Sequence, residues 1–338
     1  MRILYAIQGT GNGHLTRAKV LIPILQQKGD LDILVSGNEN NLDLGFEIKY
    51  KVHGLNFTFG KKGGIDFWAT YKKMNLARFY KEIKKLPVKD YDLIINDFEP
   101  VSAWAAKLNN VNIISLSHQN AVLDTASPKY GKYKLEKYIL KYYAPAKDRF
   151  GFHFDTYSSA TFTPIIRNKI RNTKTSNKGH FTVYLPSYTT EKIVKVLSKI
   201  PIAKWHVFSK ETKSLIFKKN ITIYPISEFD FIKSMASSAG VLCGAGFETP
   251  SEALYLKKKL LVIPMKNQYE QQCNAIALKE MGVSVIKKLN KKQVLKIAQW
   301  IHSDKIISVN YPDITEDILE AILLPYYDEE TIMPTILS

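Results

Sequence analysis

Short apolar runs alternate with helix-like patterns along the whole chain, and this alternation limits the possible folds more than any other feature. In the first half, the runs that predict strands are RILYAIQ, LDILVSG, EIKYKVHG, DLIINDFEP and VNIISLSHQ. Strands of this kind, separated by helices, form parallel sheets that are covered on both faces. We therefore expect an α/β fold whose first unit is a doubly wound parallel sheet.

The second half of the chain repeats the pattern after a break. Residues 163–179 read TPIIRNKIRNTKTSNKG and lose their apolar periodicity after Ile170, which is typical of a linker. The later strand candidates are HFTVYLPSY, AKWHVFSK, NITIYPIS, AGVLCGAG, KKLLVIPM and GVSVIKKL. We predict two domains, residues 1–165 and 180–338, a linker over 166–179, and a ligand cleft between the carboxyl ends of the two sheets. The last helix is a candidate for packing back onto the first domain.

A glycine-rich turn follows the first strand. Residues 8–17 read QGTGNGHLTR, and a helical pattern follows, which Pro23 is expected to kink. The third glycine of a dinucleotide-binding fingerprint is missing, and no acidic residue ends the next strand, so a nicotinamide site is disfavoured. Gly11 and Gly13 still allow a ligand to approach the backbone closely. His14 is a candidate proton-transfer group, or alternatively a cap on the first turn of the helix.

A second motif lies at residues 242–275, LCGAGFETPSEALYLKKKLLVIPMKNQYEQQCNA. It predicts strand, glycine turn, helix, strand, loop and helix. The first helix is expected to begin near Thr249, and its free N–H groups suit a phosphate. Glu252 can accept hydrogen bonds from two vicinal hydroxyls, as on a ribose, or it can simply complement the helix dipole. The loop after the next strand is expected to carry amides that suit sugar hydroxyls, namely Gln271, Gln272 and Asn274.

The chain of 338 residues is strongly basic, with 48 Lys and Arg against 31 Asp and Glu. Between residues 49 and 89 there are eleven Lys or Arg against two acids, with aromatic residues interleaved, and residues 129–143 mix lysine with tyrosine. Such surfaces attract anions, including nucleic acid, acidic lipid headgroups and anionic substrates. The alternative explanation is the lysine-rich composition of an AT-rich genome. No nucleic-acid-binding signature is recognisable.

The remaining composition points to a reduced setting. The two cysteines, Cys243 and Cys273, do not suggest a disulfide framework, and no Cys/His spacing resembles a zinc site. No apolar stretch reaches the roughly 18 residues that a membrane span needs, and no leader peptide is recognisable. We therefore expect a cytoplasmic protein with no metal and no cofactor. The Asp-x-Asp at residues 30–32 begins a strand and is discounted as a metal site.

Together the two motifs resemble those of the GT-B nucleotide-sugar glycosyltransferases. GTGNGHLTRA is similar to the N-terminal glycine loop of the branch that holds the lipid-linked N-acetylglucosaminyltransferase of peptidoglycan synthesis, the monogalactosyldiacylglycerol synthases and the UDP-glycosyltransferases. GAGFETPSEAL and IPMKNQYEQQCNA are similar to the donor-binding signature of that branch. The resemblance spans essentially the whole chain. It implies a GT-B fold, with two Rossmann-like domains that face a central cleft, and transfer of a hexosyl group from a UDP-sugar.

The resemblance also implies which residues bind the donor. Glu252 would hold the ribose, and Gln271 and Gln272 would meet the sugar. Asn274 lies one residue earlier than in the peptidoglycan enzyme's pattern, and Ser187 stands where a glycine-rich phosphate loop is usual. The full set of donor-binding candidates is Gly11, Gly13, Ser187, Phe229, Gly244, Gly246, Phe247, Thr249, Ser251, Glu252, Gln271, Gln272 and Asn274. Phe229 would flank the base or pack a short helix.

The chemistry implied by the resemblance is inverting transfer without a metal. His14 would remove the acceptor proton, and Asp97, at the end of a strand, would orient it or else cap the next helix together with Glu99. His118 is the reserve base or an acceptor ligand. Lys61 and Trp68 fall where this branch places acceptor and membrane loops. The expected acceptor is a lipid-linked or anionic cell-envelope glycan at the inner face of the membrane.

Two other functions stay open from the sequence. A UDP-sugar 2-epimerase shares the fold, although the acids near the donor motif are few, namely Glu248, Glu252 and Glu270. A non-catalytic protein that binds nucleic acid or membrane would explain the charge but not the two glycine motifs. Neither the transferred sugar nor the nucleotide base follows from the residues.

Overall fold

The computed structural model describes residues 1–37, 44–55, 75–131 and 134–327. The first half contains one parallel sheet with strand order β3-β2-β1-β4-β5-β6-β7. Its strands are β1 (Arg2–Gln8), β2 (Asp30–Ser36), β3 (Tyr50–Val52), β4 (Leu93–Asp97), β5 (Ile113–Leu116), β6 (Asp148–Phe152) and β7 (Thr161–Phe162). The order runs in opposite directions on the two sides of β1, so a topological switch point lies between β1 and β4.

Helices pack on this sheet and bury its apolar side chains. They are α1 (Asn12–Lys28), α2 (Leu76–Lys85), α3 (Pro100–Asn109), α4 (His118–Leu123) and α5 (Lys134–Tyr143), with a short 3₁₀ turn at Val88–Asp90. The middle strands are apolar because they are buried on both faces; all five residues of β4 are buried. The N-terminus of α3 is capped by the Glu99 side chain, which accepts hydrogen bonds from the N–H groups of Val101 and Ser102.

The second half contains a sheet with the order β10-β11-β9-β8-β12-β13-β14. Its strands are β8 (His180–Tyr184), β9 (Lys204–Ser209), β10 (Ile216–Lys218), β11 (Ile221–Pro225), β12 (Gly240–Gly244), β13 (Lys259–Ile263) and β14 (Ser284–Val285). Only the edge pair of β10 and β11 is antiparallel among the described strands. The switch point lies between β8 and β12, the same topological position as in the first sheet.

The helices of this half include the one that the second motif predicted. They are α6 (Asn168–Arg171), α7 (Thr190–Leu197), α8 (Glu228–Ser237), α9 (Glu248–Tyr255), α10 (Tyr269–Glu280), α11 (Val294–His302) and α12 (Thr315–Leu323), with 3₁₀ turns at Lys291–Gln293 and Leu324–Tyr326. Two parallel sheets flanked by helices confirm the predicted α/β class.

Contacts join the two halves at the predicted linker and at the last described helix. Within residues 166–179, the predicted linker, the structure has the short helix α6, and Ile166 and Ile170 are buried in a core that contains residues of both halves. The last described α-helix, α12, lies against α1, where Lys28 Nζ is 2.5 Å from Glu320 Oε1.

Several local expectations differ from the structure. The helix α1 is continuous through Pro23, and the kink expected there stays a prediction. The predicted strand EIKYKVHG is reduced to the three residues of β3. The helix expected near Thr249 begins at Glu248, which confirms that expectation. The amides Gln271, Gln272 and Asn274, however, lie in α10 rather than in the preceding loop. Among the described residues, no helix is long and apolar enough to cross a bilayer.

Candidate active site

The switch point of the first sheet brings His14 and Asp97 together. The glycine loop after β1 places His14 in the first turn of α1, and Asp97 is the last residue of β4. His14 Nδ1 lies 2.8 Å from Asp97 Oδ1; Asp97 is fully buried and His14 is 9% exposed. Because an ionised carboxylate only accepts, Nδ1 carries the proton and Nε2 is left as the nitrogen that can accept one.

Gly11 and Gly13 allow this turn for different reasons. Gly11, the residue before α1, has a φ of 108°, which side chains other than glycine rarely adopt. A Cβ on Gly13 would lie 3.3 Å from Glu248 Cγ, so the missing side chain at this position lets α9 of the second half approach α1. The first turns of α1 and α9 therefore lie against each other.

Arg17, which the sequence analysis did not select, completes the His14–Asp97 pair. Its Nε donates to Asp97 Oδ2 at 3.0 Å, and its Nη2 donates to Asp97 Oδ1 at 2.8 Å. The Arg17 side chain is 3% exposed. The sequence feature that could have identified Arg17 is its position three residues after His14, which puts both side chains on one face of α1.

The charge of Asp97 is stabilised by this arrangement. Burial opposes ionisation of the carboxyl group, but the charges of Arg17 and His14 and their hydrogen bonds outweigh it and hold the pKa of Asp97 below its usual range. Phe98 follows with a left-handed φ of 57° and stacks its ring parallel to that of His14, 6.4 Å between centroids. Glu99 alone caps α3, so the alternative of a capping role for Asp97 is wrong for this structure.

Glu248 is a second unexpected member of the site. Its Oε1 accepts a hydrogen bond from Arg17 Nη1 at 3.1 Å, and its side chain is 20% exposed. Burial raises the pKa of Glu248 to about 7, opposed by Arg17 and reinforced by Glu252. The sequence indicated Glu248 as an acid near the donor motif, but only the docking of the two halves places it beside α1.

Glu252, the predicted ribose ligand, is held by an arginine. Arg167 Nε donates to Glu252 Oε1 at 2.6 Å and Arg167 Nη2 donates to Oε2 at 2.9 Å, which forms a two-point contact. Glu252 is buried, and Arg167 also contacts Glu228 at the start of α8. Arg167 lies in the predicted linker and was not selected from the sequence.

The other predicted donor-binding residues near the second switch point differ in how exposed they are. Gly244 ends β12, Gly246 has open space where a Cβ would lie, and Thr249 is partly exposed in the first turn of α9. Ser251 is buried, and its hydroxyl donates to the carbonyl of Phe247, the residue before α9.

Ser187 is exposed in the turn between β8 and α7. Phe229 is 72% exposed at the start of α8, so its side chain does not pack that helix. Phe231 does, with its ring against those of Tyr184 and Phe208.

The amide pair fixes the loop that precedes α10. Gln271 Oε1 accepts a hydrogen bond from the Met265 N–H at 3.0 Å, and Gln272 Nε2 donates to the Met265 carbonyl at 2.8 Å. Gln271 Nε2 also donates to Met265 Sδ at 3.2 Å, and both glutamine side chains are partly exposed.

His118 and Asn274 join the two halves instead of facing a ligand. His118 Nδ1 lies 2.7 Å from the Phe152 carbonyl, and its Nε2 lies 3.0 Å from Asn274 Oδ1. Asn274 Nδ2 donates to the Ala245 carbonyl, and the His118 ring stacks on Phe247 at 4.0 Å. Both ring nitrogens of His118 are engaged, and burial lowers its pKa. The geometry therefore gives this histidine a structural role in place of the expected role as reserve base.

Two predicted acceptor residues, Lys61 and Trp68, lie outside the described residues. Within the described ranges there is no group of three or more His, Cys, Asp or Glu side chains that could hold a metal ion. Asp32, in the discounted Asp-x-Asp, is paired with Lys49 and Tyr91.

Comparison with known proteins supports the architecture. Residues 1–302 match the family model described as glycosyl transferase family 1. No curated protein sequence matches the chain. MurG from Acinetobacter baumannii has a similar structure, with a TM-score of 0.59 at 14% identity over 96% of this chain and 99% of that one.

Two further solved structures give the same result. The glycosyltransferase SnogD from Streptomyces nogalater has a TM-score of 0.55 at 11% identity, over 96% of this chain and 99% of that chain. The glycosyltransferase SsfS6 from Streptomyces sp. SF2575, solved with thymidine diphosphate, has a TM-score of 0.57 at 12% identity over the same shares. These likenesses confirm the GT-B fold that the motifs implied.

Proposed function

The chain belongs to glycosyl transferase family 1, and from that premise we propose that it moves a hexosyl group from a UDP-sugar to a hydroxyl acceptor with inversion and without a metal ion. The proposed acceptor is a lipid-linked or cell-envelope glycan. The observation that carries the proposal is the His14–Asp97 pair, whose 2.8 Å contact leaves Nε2 as the proton-accepting atom beside the cleft.

In the proposed reaction, the acceptor hydroxyl oxygen attacks the anomeric carbon while its proton passes to His14 Nε2. The bond between that carbon and the diphosphate oxygen breaks, and the nucleoside diphosphate leaves with the electron pair. Asp97 stabilises the imidazolium that forms, because its carboxylate lies against Nδ1. Attack from the face opposite the leaving group inverts the anomeric centre.

The donor is proposed to bind at the second switch point. The N–H groups in the first turn of α9 would meet the diphosphate, and Glu252 would accept hydrogen bonds from the ribose hydroxyls. A carboxylate has about four lone-pair sites, so the two bonds from Arg167 leave acceptor capacity on Glu252. Gln271 and Gln272 would read the hydroxyls of the transferred sugar.

A membrane-facing acceptor is supported by the surface of the first half. Exposed tyrosines and lysines share two of its helices, with Tyr80 in α2 and Tyr138 and Tyr142 in α5. Aromatic and basic side chains together suit the inner face of an anionic bilayer. Flotation of the protein with anionic vesicles, but not with neutral ones, is the expected result; no flotation would remove this part of the proposal.

Donor binding is tested by calorimetry with UDP, dTDP, GDP, ADP and NAD. Thymidine diphosphate is the most informative competitor, because a glycosyltransferase of similar fold was solved with it. The substitution Glu252→Gln should weaken binding of the preferred nucleotide by about 1–3 kcal/mol, the range for a lost charged hydrogen bond. Glu228→Gln is the matched control, since it also removes a carboxylate from Arg167 but at an exposed position. Equal losses in both variants would contradict the ribose role of Glu252.

Transfer itself is tested with the preferred nucleotide-sugar and a panel of hydroxyl acceptors. His14→Ala should abolish turnover while nucleotide binding is kept. Product formation should be unchanged by a chelator if no metal takes part. Conversion of the donor to its C2 epimer without an acceptor would favour an epimerase, and the absence of nucleotide binding would favour a non-catalytic role.

A further inference from the structure

The Arg17 side chain forms ion pairs with carboxylates from both halves of the candidate site. Its guanidinium contacts Asp97 at the end of β4 and Glu248 in the first turn of α9, at 2.8 and 3.1 Å. The two carboxylates come from opposite sides of the cleft. Because the Arg17 side chain is almost completely buried, water does not screen these contacts as it would on the surface.

The contact with Asp97 sets the charge and the orientation of the pair with His14. The guanidinium fork covers both carboxylate oxygens, and Oδ1 also receives His14 Nδ1. Arg17 Nη2 lies 3.3 Å from that same nitrogen. The shorter contact is to Asp97, which can only accept, so the proton stays on Nδ1 and Nε2 stays free.

The contact with Glu248 balances charge during the proposed reaction. Arg17 offsets the negative charge of Asp97, so Arg17 and Asp97 together present no net negative charge to a protonated His14. Glu248, when ionised, supplies that charge through its hydrogen bond to Arg17 Nη1. The same residue belongs to the helix that is proposed to bind the donor diphosphate, which ties the position of that helix to the position of the base.

We propose that Arg17 is the positioning residue of this site. It keeps Asp97 ionised and, through Glu248, holds the His14–Asp97 pair in a defined position relative to the donor-binding helix. This inference rests on the proposed function, since it assigns Arg17 a role in the proton transfer to His14. Arginine suits the role because its planar fork binds two carboxylates at once and stays charged. Lysine would restore the charge but not the fork.

The pH dependence follows from the groups that surround Asp97. These groups are His14 and Arg17 from α1, Tyr5 from β1 and Glu248 from α9. Of these, Arg17 is the permanent positive charge. Its removal should raise the pKa of Asp97, because a buried carboxyl group then loses its countercharge. Protonated Asp97 no longer orients His14, and loss of the Arg17 charge also favours the protonated form of His14, which cannot accept a proton. Activity should therefore fall at a higher pH than in the wild type.

The experiment compares Arg17→Gln, Arg17→Lys and Glu248→Gln with the wild type in full pH–rate profiles. For Arg17→Gln we expect kcat to fall at least about tenfold, in line with loss of base catalysis, while the Kd for nucleoside diphosphate changes by less than about threefold. The acid limb of its profile should move up by about 1–3 pH units. Arg17→Lys should restore the limb but only part of kcat. Glu248→Gln should lower kcat and remove the change in rate that follows ionisation of Glu248, whose pKa is about 7.

Controls separate this inference from the proposed function. Lys19→Gln removes a positive charge from an exposed position on the same helix and should behave as wild type. If His14→Ala is inactive but folded Arg17→Gln keeps a wild-type kcat and acid limb, the inference fails and the proposed function stands. If His14→Ala keeps its activity, or no donor supports transfer, the proposed function fails and the role of Arg17 falls with it. Unchanged profiles in both Arg17→Lys and Glu248→Gln would also overturn the inference.

Discussion

The substitution Asp97→Asn should destabilise the protein by an amount that the structure allows us to estimate. Asp97 is fully buried, and Arg17 makes three hydrogen bonds to it. Removing one partner of a buried ion pair costs about 3–5 kcal/mol, because the other charge is left without a counterion. Glu248 still contacts Arg17 in this variant, and an asparagine oxygen can accept one bond. We therefore expect the lower end of the range, about 3 kcal/mol.

The measurement is urea unfolding at pH 7, with the slope of the transition checked for equality among variants. The double variant Arg17→Met with Asp97→Asn should lose less free energy of unfolding than the sum of the single variants, since both charges are then absent. Glu248→Gln is the control, because it leaves the Arg17–Asp97 pair in place and alters a partly exposed group. Its cost should be about 1 kcal/mol, because the glutamine oxygen can still accept the hydrogen bond from Arg17.

The pH dependence of the same measurement has a defined sign. Because the pKa of folded Asp97 is lowered, its ionised form stabilises the protein at pH values above the unfolded pKa of about 3.9. The difference between wild type and Asp97→Asn should be full at neutral pH and should narrow as the pH falls below that value. A loss below about 1 kcal/mol at pH 7, or strict additivity in the double variant, would refute the reasoning.

Three further outcomes are expected. Burial lowers the pKa of His206 to about 4, so the free energy of unfolding should fall by about 1–3 kcal/mol as the pH drops from 6.5 toward 4, and His206→Gln should flatten this dependence in thermal unfolding. Phe247→Leu removes the ring that stacks on His118 and should cost about 1–2 kcal/mol in urea unfolding, with unchanged stability as the contrary result. Gly13→Ala places a Cβ 3.3 Å from Glu248 Cγ, so it should lower kcat while the free energy of unfolding changes little. A wild-type kcat in this variant would argue against close contact between α1 and α9.

Much of the architecture was predictable because it is encoded locally. Apolar runs of strand length separated by helical patterns predicted two parallel sheets, and the switch points then follow from strand order. The glycine loop and the carboxyl end of β4 were predictable neighbours, since both lie at the same edge of one sheet. His14 and Asp97 could therefore be paired in advance, and the structure brings them to 2.8 Å.

Fine assignments within the motifs were less predictable. The sequence favours His118 as a cleft histidine, but contacts with Asn274 and Phe247 bury it between the halves. Residue type and spacing do not show whether a polar side chain at a strand end faces a ligand or another domain. That choice depends on which surface covers it.

The partners of the charged groups were decided by tertiary structure. Arg17 meets Asp97 from 80 positions away and Glu248 from 231 positions away, and Glu252 is held by Arg167, 85 positions earlier. The sequence by itself determined the two sheets, their glycine turns and the chemical types at each strand end, because periodicity and turn chemistry act over a few residues. Tertiary packing, within the first half for Arg17 and Asp97 and between the halves for Arg17 and Glu248, determined which charges face each other. The physical reason is that burial between packed surfaces requires every charge to have a partner.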